Sequence, residues 1–502
     1  MNAVLTPGLN SLWKTCPAFI ISIHLLLGVG FSLSWNVCIF LIHLFVNSCL
    51  LLHWQKISWP RLATSFFTFI FGVILGCTQI EKDQEFNEPI KGWITFIPSS
   101  IKIEKSMFQS YFSYQGKGVF CSDDDSIVKV FPIHLVPPKD HVRPSACNKY
   151  LIRGELKKIS KSKGEVNTEG PWIRLEPSLS LAEWRFSIKN IFKTFVYHHI
   201  HDKKVANFFF SLCSGEIDDK MLSFYFSRLG LQHILAVSGF HFSLIATFFG
   251  GIFYFIFPKK SATILLMIAL TAYFIFLGYS PSIFRAWLAI SIWSLAQIFS
   301  KKNHGLNTLG ISLLFELILF PNHIYHIGFQ FSFLCTASLL IIYPILKKWT
   351  SFLLPQRNCM EIARLSMHEK FIYLMLVFFK PVLAVTAAVH LASIFLCFYH
   401  FQSFPLLSLP YNLFFPLFTG ICLFMFLAGL ILSVIFPFLS KWVFQLNTQL
   451  TGFLLDTSFY APKSLARNLY LDKPSASWVI LYIAFVFLFF IYYEQREKAE
   501  DS

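Results

Sequence analysis

The chain has 502 residues, 55% of them hydrophobic, 18% aromatic and only 14% charged. Soluble domains carry about 25% charged residues, so a wholly soluble protein is excluded, and many uncharged runs are long enough to cross a bilayer. The net charge of +15 includes the excess of Lys and Arg that membrane proteins keep in cytoplasmic loops, so it names no anionic ligand by itself.

In chain order, the apolar runs predict eleven spans: 18–34, 36–53, 62–80, 234–257, 261–278, 283–300, 305–320, 328–346, 380–400, 411–437 and 477–493. The first run is read as a retained helix rather than a cleaved signal. No small-x-small site ends it, and the second run follows almost at once. Segments 205–228 and 438–470 are amphipathic and suit the membrane interface.

Charge placement sets the orientation. One group of short loops holds Lys14, Lys56, Arg61, Lys259, Lys260, Lys301, Lys302, Lys347, Lys348, Arg357, Arg364 and Lys370, whereas loops 278–282, 321–327 and 401–410 hold no Lys or Arg. The basic loops belong in the cytoplasm. The N-terminus is then cytoplasmic, and residues 81–230 and the C-terminus are extracytoplasmic.

Segment 81–185 reads as a separate β domain. Short alternating runs (90–97, 109–114, 126–131, 151–158 and 171–175) are separated by turn signals at 115–118, 137–138 and 162–164. About five such strands suit a small barrel, an OB-like barrel or a generic β domain. Cys121 and Cys147 are the cysteines of this segment, and a disulfide between them is an option outside the cytoplasm. The expected fold class is therefore a polytopic α-helical membrane protein with about 11 spans and a small extracytoplasmic β-barrel (OB-like) domain after the third span. The division is 1–80 N-terminal spans, 81–185 β domain, 186–230 amphipathic connector, 231–437 channel-type membrane domain, and 438–502 amphipathic segment, last span and tail.

Polar residues at membrane depth mark the candidate site, because such groups are expensive there. The stretch 231–242 holds His233, Ser238, Gly239 and His241 at the mouth of an apolar run. It lacks a G-x-S-x-G elbow and a nearby carboxylate, so a polar lining or a tight helix start fits better than catalysis. Arg285 lies a few residues inside a span. It faces water or an anion, or snorkels to the interface. Gln330 and Ser332 suit either lining or interhelical hydrogen bonding. His390 lies deep in one span, and Asn412 and Pro416 fall early in the next. Glu316 is the one carboxylate in the apolar runs between 234 and 437, a scarcity that disfavours cation-coupled transport and suits a polyanion. The run His198-His-Ile-His201 lacks metal-ligand spacing and reads as a hydrated surface. No metal or cofactor is expected.

These motifs, in this order, resemble the ComEC-type competence proteins: His233-Ile-Leu-Ala-Val-Ser-Gly-Phe-His241, Pro281-Ser-Ile-Phe-Arg-Ala286, Asn307 after a basic turn, Pro321 with Gly328-Phe-Gln-Phe-Ser332, and Leu406-Leu-Ser-Leu-Pro-Tyr-Asn412 with Pro416. The resemblance covers about 205–437 and implies passage of one DNA strand through the inner membrane. It places His233, Ser238, His241, Arg285, Gln330 and Asn412 in the core of the channel domain. Gly239, Ser332 and His390 join them as lining by our reading of the residues. Many members carry a metallo-β-lactamase-like nuclease domain. Because no H-x-H-x-D-H occurs in this sequence, nuclease activity is not expected of it.

The expected function is an inner-membrane channel for single-stranded transforming DNA. Its expected partners are the strand, membrane lipids, a periplasmic DNA-binding receptor and a cytoplasmic DNA translocase. Lys91, Trp93, Lys117, Arg153, Lys157 and Lys158 of the outer domain are the candidates for gathering DNA, provided the acidic run 123–125 faces away. The rival readings are a membrane enzyme for a lipid-linked anionic substrate and a family remnant that does not transport.

Overall fold

The computed structural model describes residue 13 and residues 15–51, 59–78, 84–105, 110–123, 128–137, 143–159, 164–178, 180–353, 357–460 and 468–500. It falls into two compact units, one of Ile80–Leu222 with Ala272–Gly278, the other of Met1–Gln79, Ser223–Thr271 and Tyr279–Ser502.

The first unit holds strands β1 (Gln84–Lys105), β2 (Ser110–Ser122), β3 (Val128–Leu135), β4 (Asn148–Ile159) and β5 (Gly164–Pro177). β1 pairs antiparallel with β2 and β4, β2 with β3, and β4 with β5. A parallel bridge, Ile133↔Gly164, joins β3 to β5, so the order β1-β2-β3-β5-β4 closes on itself. Alternate residues point inward, and Ile94, Phe96, Tyr114, Phe120, Ile152 and Leu156 form the core. Helix α4 (Leu181–His199) adds Ala182 and Phe186 to that core. Glu183, in its first turn, takes hydrogen bonds from the Ala146 amide (2.9 Å) and from Arg143.

Two expectations are corrected here. The Gln-Gly-Lys-Gly at 115–118 lies inside β2 and is not a turn. Its glycines serve close packing, since a Cβ on Gly116 would stand 2.1 Å from the Ile97 carbonyl oxygen. Cys121 and Cys147 are not paired. Cys121 is opposite Trp93, which is opposite Arg153 on β4, and Cys147 lies six residues before Arg153. That offset is about 20 Å along the strand at 3.3 Å per residue, beyond the reach of a disulfide.

The other described residues are mostly helical: α1 (Pro17–Ser34), α2 (Val37–Leu51), α3 (Trp59–Cys77), α5 (Lys203–Ser214), α6 (Lys220–Arg228), α7 (Gln232–Leu235), α8 (Gly239–Ile256), α9 (Lys259–Leu277), α10 (Pro281–Ile298), α11 (Gly305–Leu319), α12 (Ile327–Leu353), α13 (Cys359–Ala363), α14 (Met367–Phe401), α15 (Ser408–Ile435), α16 (Pro437–Phe459) and α17 (Ala476–Glu500). A two-stranded sheet joins Ser403–Pro405 to Asn468–Tyr470. Among the described residues, eight helices are long and apolar enough to cross a membrane: α1, α3, α8, α9, α12, α14, α15 and α17. Val37–Asn47 and α11 are apolar but shorter. α10 has eighteen residues, but Arg285, Gln297 and its serines keep it out of that group. Segment 438–470, read as amphipathic, opens with the 23-residue helix α16. This helix packs on α15 through Asn447 Nδ2 to the Cys422 carbonyl (3.1 Å) and Ser440 Oγ to the Gly429 carbonyl (3.2 Å).

Helices α1 and α3 touch backbone to backbone. A Cβ on Gly28 would lie 2.2 Å from the Phe69 carbonyl oxygen, and one on Gly72 2.5 Å from that of Leu25. Small residues spaced by four (Gly28 and Ser32, Gly72 and Gly76) form the contact, the usual way for apolar helices to associate in lipid. A buried polar chain links these helices to α2: His24 Nδ1 meets His43 Nδ1 at 3.1 Å, Asn47 Nδ2 lies 3.1 Å from His43 Nε2, and Ser65 donates to Asn47 Oδ1 at 2.6 Å.

Candidate functional site

The site is built from breaks in the helices. Gly230 ends α6 with φ +68°, a left-handed conformation that suits glycine. A Cβ there would stand 2.6 Å from Cβ of Ser408, so the glycine lets the start of α7 approach the start of α15. α7 is one turn long, and Ala236 and Ser238 are extended. This returns the chain to a new helix start at Gly239.

Ser238 and His241 lock that start together. The Ser238 amide donates to His241 Nδ1 at 3.3 Å, and Ser238 Oγ lies 3.1 Å from the same nitrogen. An Nδ1 that accepts leaves the ring proton on Nε2. That Nε2 is buried and has no hydrogen-bond partner among the described residues.

Arg285 lies in the second turn of α10, whose start is fixed by Pro281 and by Ser280 Oγ, which accepts from the Ile283 amide. The side chain is 9% exposed. Its Nε donates to Ser332 Oγ on α12 at 2.7 Å, and its Cζ lies 5.8 Å from the Phe333 ring centre. The other end of the guanidinium reaches α8, where a Cβ on Gly239 would stand 2.6 Å from Nη2. Arg285 therefore joins the starts of α8 and α10 to the first turns of α12.

The structure brings Ser238, Gly239, His241, Arg285 and Ser332 together. His233, in the one-turn helix α7, is exposed. His390 Nδ1 bonds the Thr386 carbonyl at 2.8 Å, and its ring meets Phe404 edge-on. Asn412 is half-buried early in α15. Gln330 turns elsewhere. Its Nε2 donates to the Ile324 carbonyl at 2.7 Å, and its Oε1 meets His400 Nε2 at 2.6 Å. Two residues along a helix rotate the side chain by about 200°, so Gln330 and Ser332 face opposite ways. Gln330 binds elements together, with both amide ends occupied.

Sequence reasoning passed over the place of Glu316. This carboxylate is wholly buried on α11, with Oε1 3.2 Å from His323 Nδ1, and Oε2 has no partner among the described residues. The Tyr279 hydroxyl lies 3.1 Å from the same His323 nitrogen. A lone carboxylate in an apolar run was the available signal.

In the β unit, Trp93 and Arg153 are register partners, with Arg153 Cζ 5.7 Å from the Trp93 ring. Lys91 sits on the same face, two residues from Trp93, and reaches Glu155 at 3.4 Å. Lys117 is opposite Ile97 on β2, and the side chains of Lys157 and Lys158 lie outside the described residues. Asp123 does not face away, since it lies 3.9 Å from Arg153 Nη2. Both partners are exposed, and such pairs are worth about 0–1 kcal/mol, so a stronger anion can displace the carboxylate.

The family described as Competence protein matches residues 214–496, which include every helix of this site. The ComE operon protein 3 of Bacillus subtilis (strain 168) is 25% identical over 211 residues, covering 41% of this chain and 23% of that relative. The match thus spans about a quarter of the relative's length. No solved structure matches.

Proposed function

This chain belongs to the competence protein family, and from that premise we propose that it conducts one strand of transforming DNA inward across the inner membrane. A phosphate chain cannot cross hydrocarbon bare, so its path must be lined by polar and basic groups. The observation that carries the reading is the meeting of Arg285, Ser332, Ser238, His241 and Gly239 where α8, α10 and α12 come together. His233, His390 and Asn412 continue that polar lining.

The outer unit is the receiving module. Its strand order, β1-β2-β3-β5-β4, supports an OB-like barrel, and Trp93 beside Arg153 supplies a stacking ring and a cation for a single strand. In this reading all eleven segments cross the membrane, the N-terminus is cytoplasmic, and residues 81–230 and the C-terminus are outside. A receptor outside and a translocase inside are the partners such a path requires. Nuclease activity is assigned to another protein or domain.

Deletion of the gene, followed by exposure of cells to labelled DNA, tests the proposal. Nuclease-protected label should vanish and return on complementation. Undiminished protected label in the deletion strain would end the channel reading.

A further inference from the structure

We propose that the first turn of α8 and the Arg285 guanidinium form a binding site for a single phosphodiester group. The inference rests on the reading that a DNA strand passes this point, and it names what the site holds.

The unused groups that meet at the start of α8 are donors. α8 is eighteen residues long, and the amides of a helix's first turn lack partners within the helix and carry partial positive charge. Arg285 is nine-tenths buried and aimed at that turn, with Nη2 2.6 Å from where a Cβ on Gly239 would be. The described residues supply an acceptor to its Nε and none to its terminal nitrogens. His241, in the same turn, holds a buried Nε2 donor with no partner. Donors without acceptors in a buried place call for an anion. A planar guanidinium beside helix-terminal amides fits the oxygens of a phosphate.

Gly239 is then a functional glycine, because it keeps the guanidinium against the helix start.

The test is fluorescence anisotropy on the purified full chain in zwitterionic detergent, with two probes: a labelled oligothymidylate and a labelled short-chain phosphatidylglycerol. Arg285→Ala should weaken oligothymidylate binding about tenfold, the scale of one charge-assisted hydrogen bond. It should also lower the slope of log affinity against log salt by about 0.7, the value for one phosphate contact on a single strand. Gly239→Ala should weaken binding while melting like the wild type, because the one atom its Cβ would crowd is the far end of a long side chain, Ala286 Cβ lying at an ordinary 3.8 Å. Binding of either probe that is indifferent to both variants would overturn the site. Arg285-dependent binding of phosphatidylglycerol alone would keep the site but give it to lipid, and would remove the DNA-channel reading.

Discussion

Replacing Gly28 by alanine should destabilise the membrane unit, and the sign of the effect decides between two arguments. Alanine is the better helix former by about 0.5–1 kcal/mol, so local propensity alone predicts a gain. Packing predicts a loss. The new Cβ would stand 2.2 Å from the Phe69 carbonyl oxygen, and ordinary contact begins at 3.4 Å, so α1 and α3 must part by about 1 Å. Overpacking of this kind costs about 1–3 kcal/mol. A gap of that size also forfeits about a quarter to a half of each dispersion contact along the seam. It would lengthen the hydrogen bonds from His24 to Ser65 that tie α1, α2 and α3. The net expectation is a loss of about 1–2 kcal/mol. The assay is thermal melting of the purified chain in detergent. Gly251→Ala in α8 serves as the control, since its Cβ would meet nothing within 4 Å. Gly28→Ala should melt below the wild type and Gly251→Ala at or above it. A Gly28→Ala protein that melts with or above the control would refute the close contact.

Other outcomes follow from the same geometry. Gly310→Ala should be more damaging than Gly28→Ala, because its Cβ would stand 2.3 Å from the Phe19 amide nitrogen and 2.4 Å from its Cα; the same melting experiment reads this. Gln330→Leu should leave His400 Nε2 and the Ile324 carbonyl without their partner, costing about 1–3 kcal/mol each where buried. Uptake should then fall in proportion to protein level on an immunoblot, and loss of uptake at normal level would refute a bonding role. Trp93→Ala should weaken single-stranded DNA binding by about 1–3 kcal/mol if a base stacks there; unchanged affinity in titration would remove the stacking role. Glu104 is partly buried, which opposes ionisation, but hydrogen bonds from Ser113 and Tyr111 and the charge of His134 hold its carboxyl below the usual value. Its stabilising effect is therefore full above the ordinary Glu value of about 4.3 and is lost as pH falls through the lowered folded value. Acid unfolding should show the advantage of wild type over Glu104→Gln shrinking in that window. A difference that does not vary with pH would contradict it.

The polar side chains in apolar runs were legible because membrane depth makes them costly. Arg285, Ser238 and His241 are found together, a meeting that motif order alone did not establish. The division of labour between Gln330 and Ser332 was not legible as lining or bonding until the helix phase placed them on opposite faces. Glu316 stood out by its charge, but its pairing with His323, beyond the end of α11, depends on how the chain folds back. The turn read at 115–118 followed the usual meaning of glycine, and the barrel overrode it because neighbouring strands leave no room for a Cβ at Gly116. Gly72 and Gly76 carry the small-residue spacing in plain sight. Their partners Gly28 and Ser32 are some forty residues away, and no periodicity connects them.

The central claim is that a DNA strand passes the polar centre of α8, α10 and α12. A photo-crosslinking residue placed at Phe240, beside Gly239, should capture a labelled strand arrested in transit, whereas one at Phe255, 92% exposed on the outer surface of the same helix, should not. Equal capture at both positions, or none at Phe240 while uptake proceeds, would contradict the account.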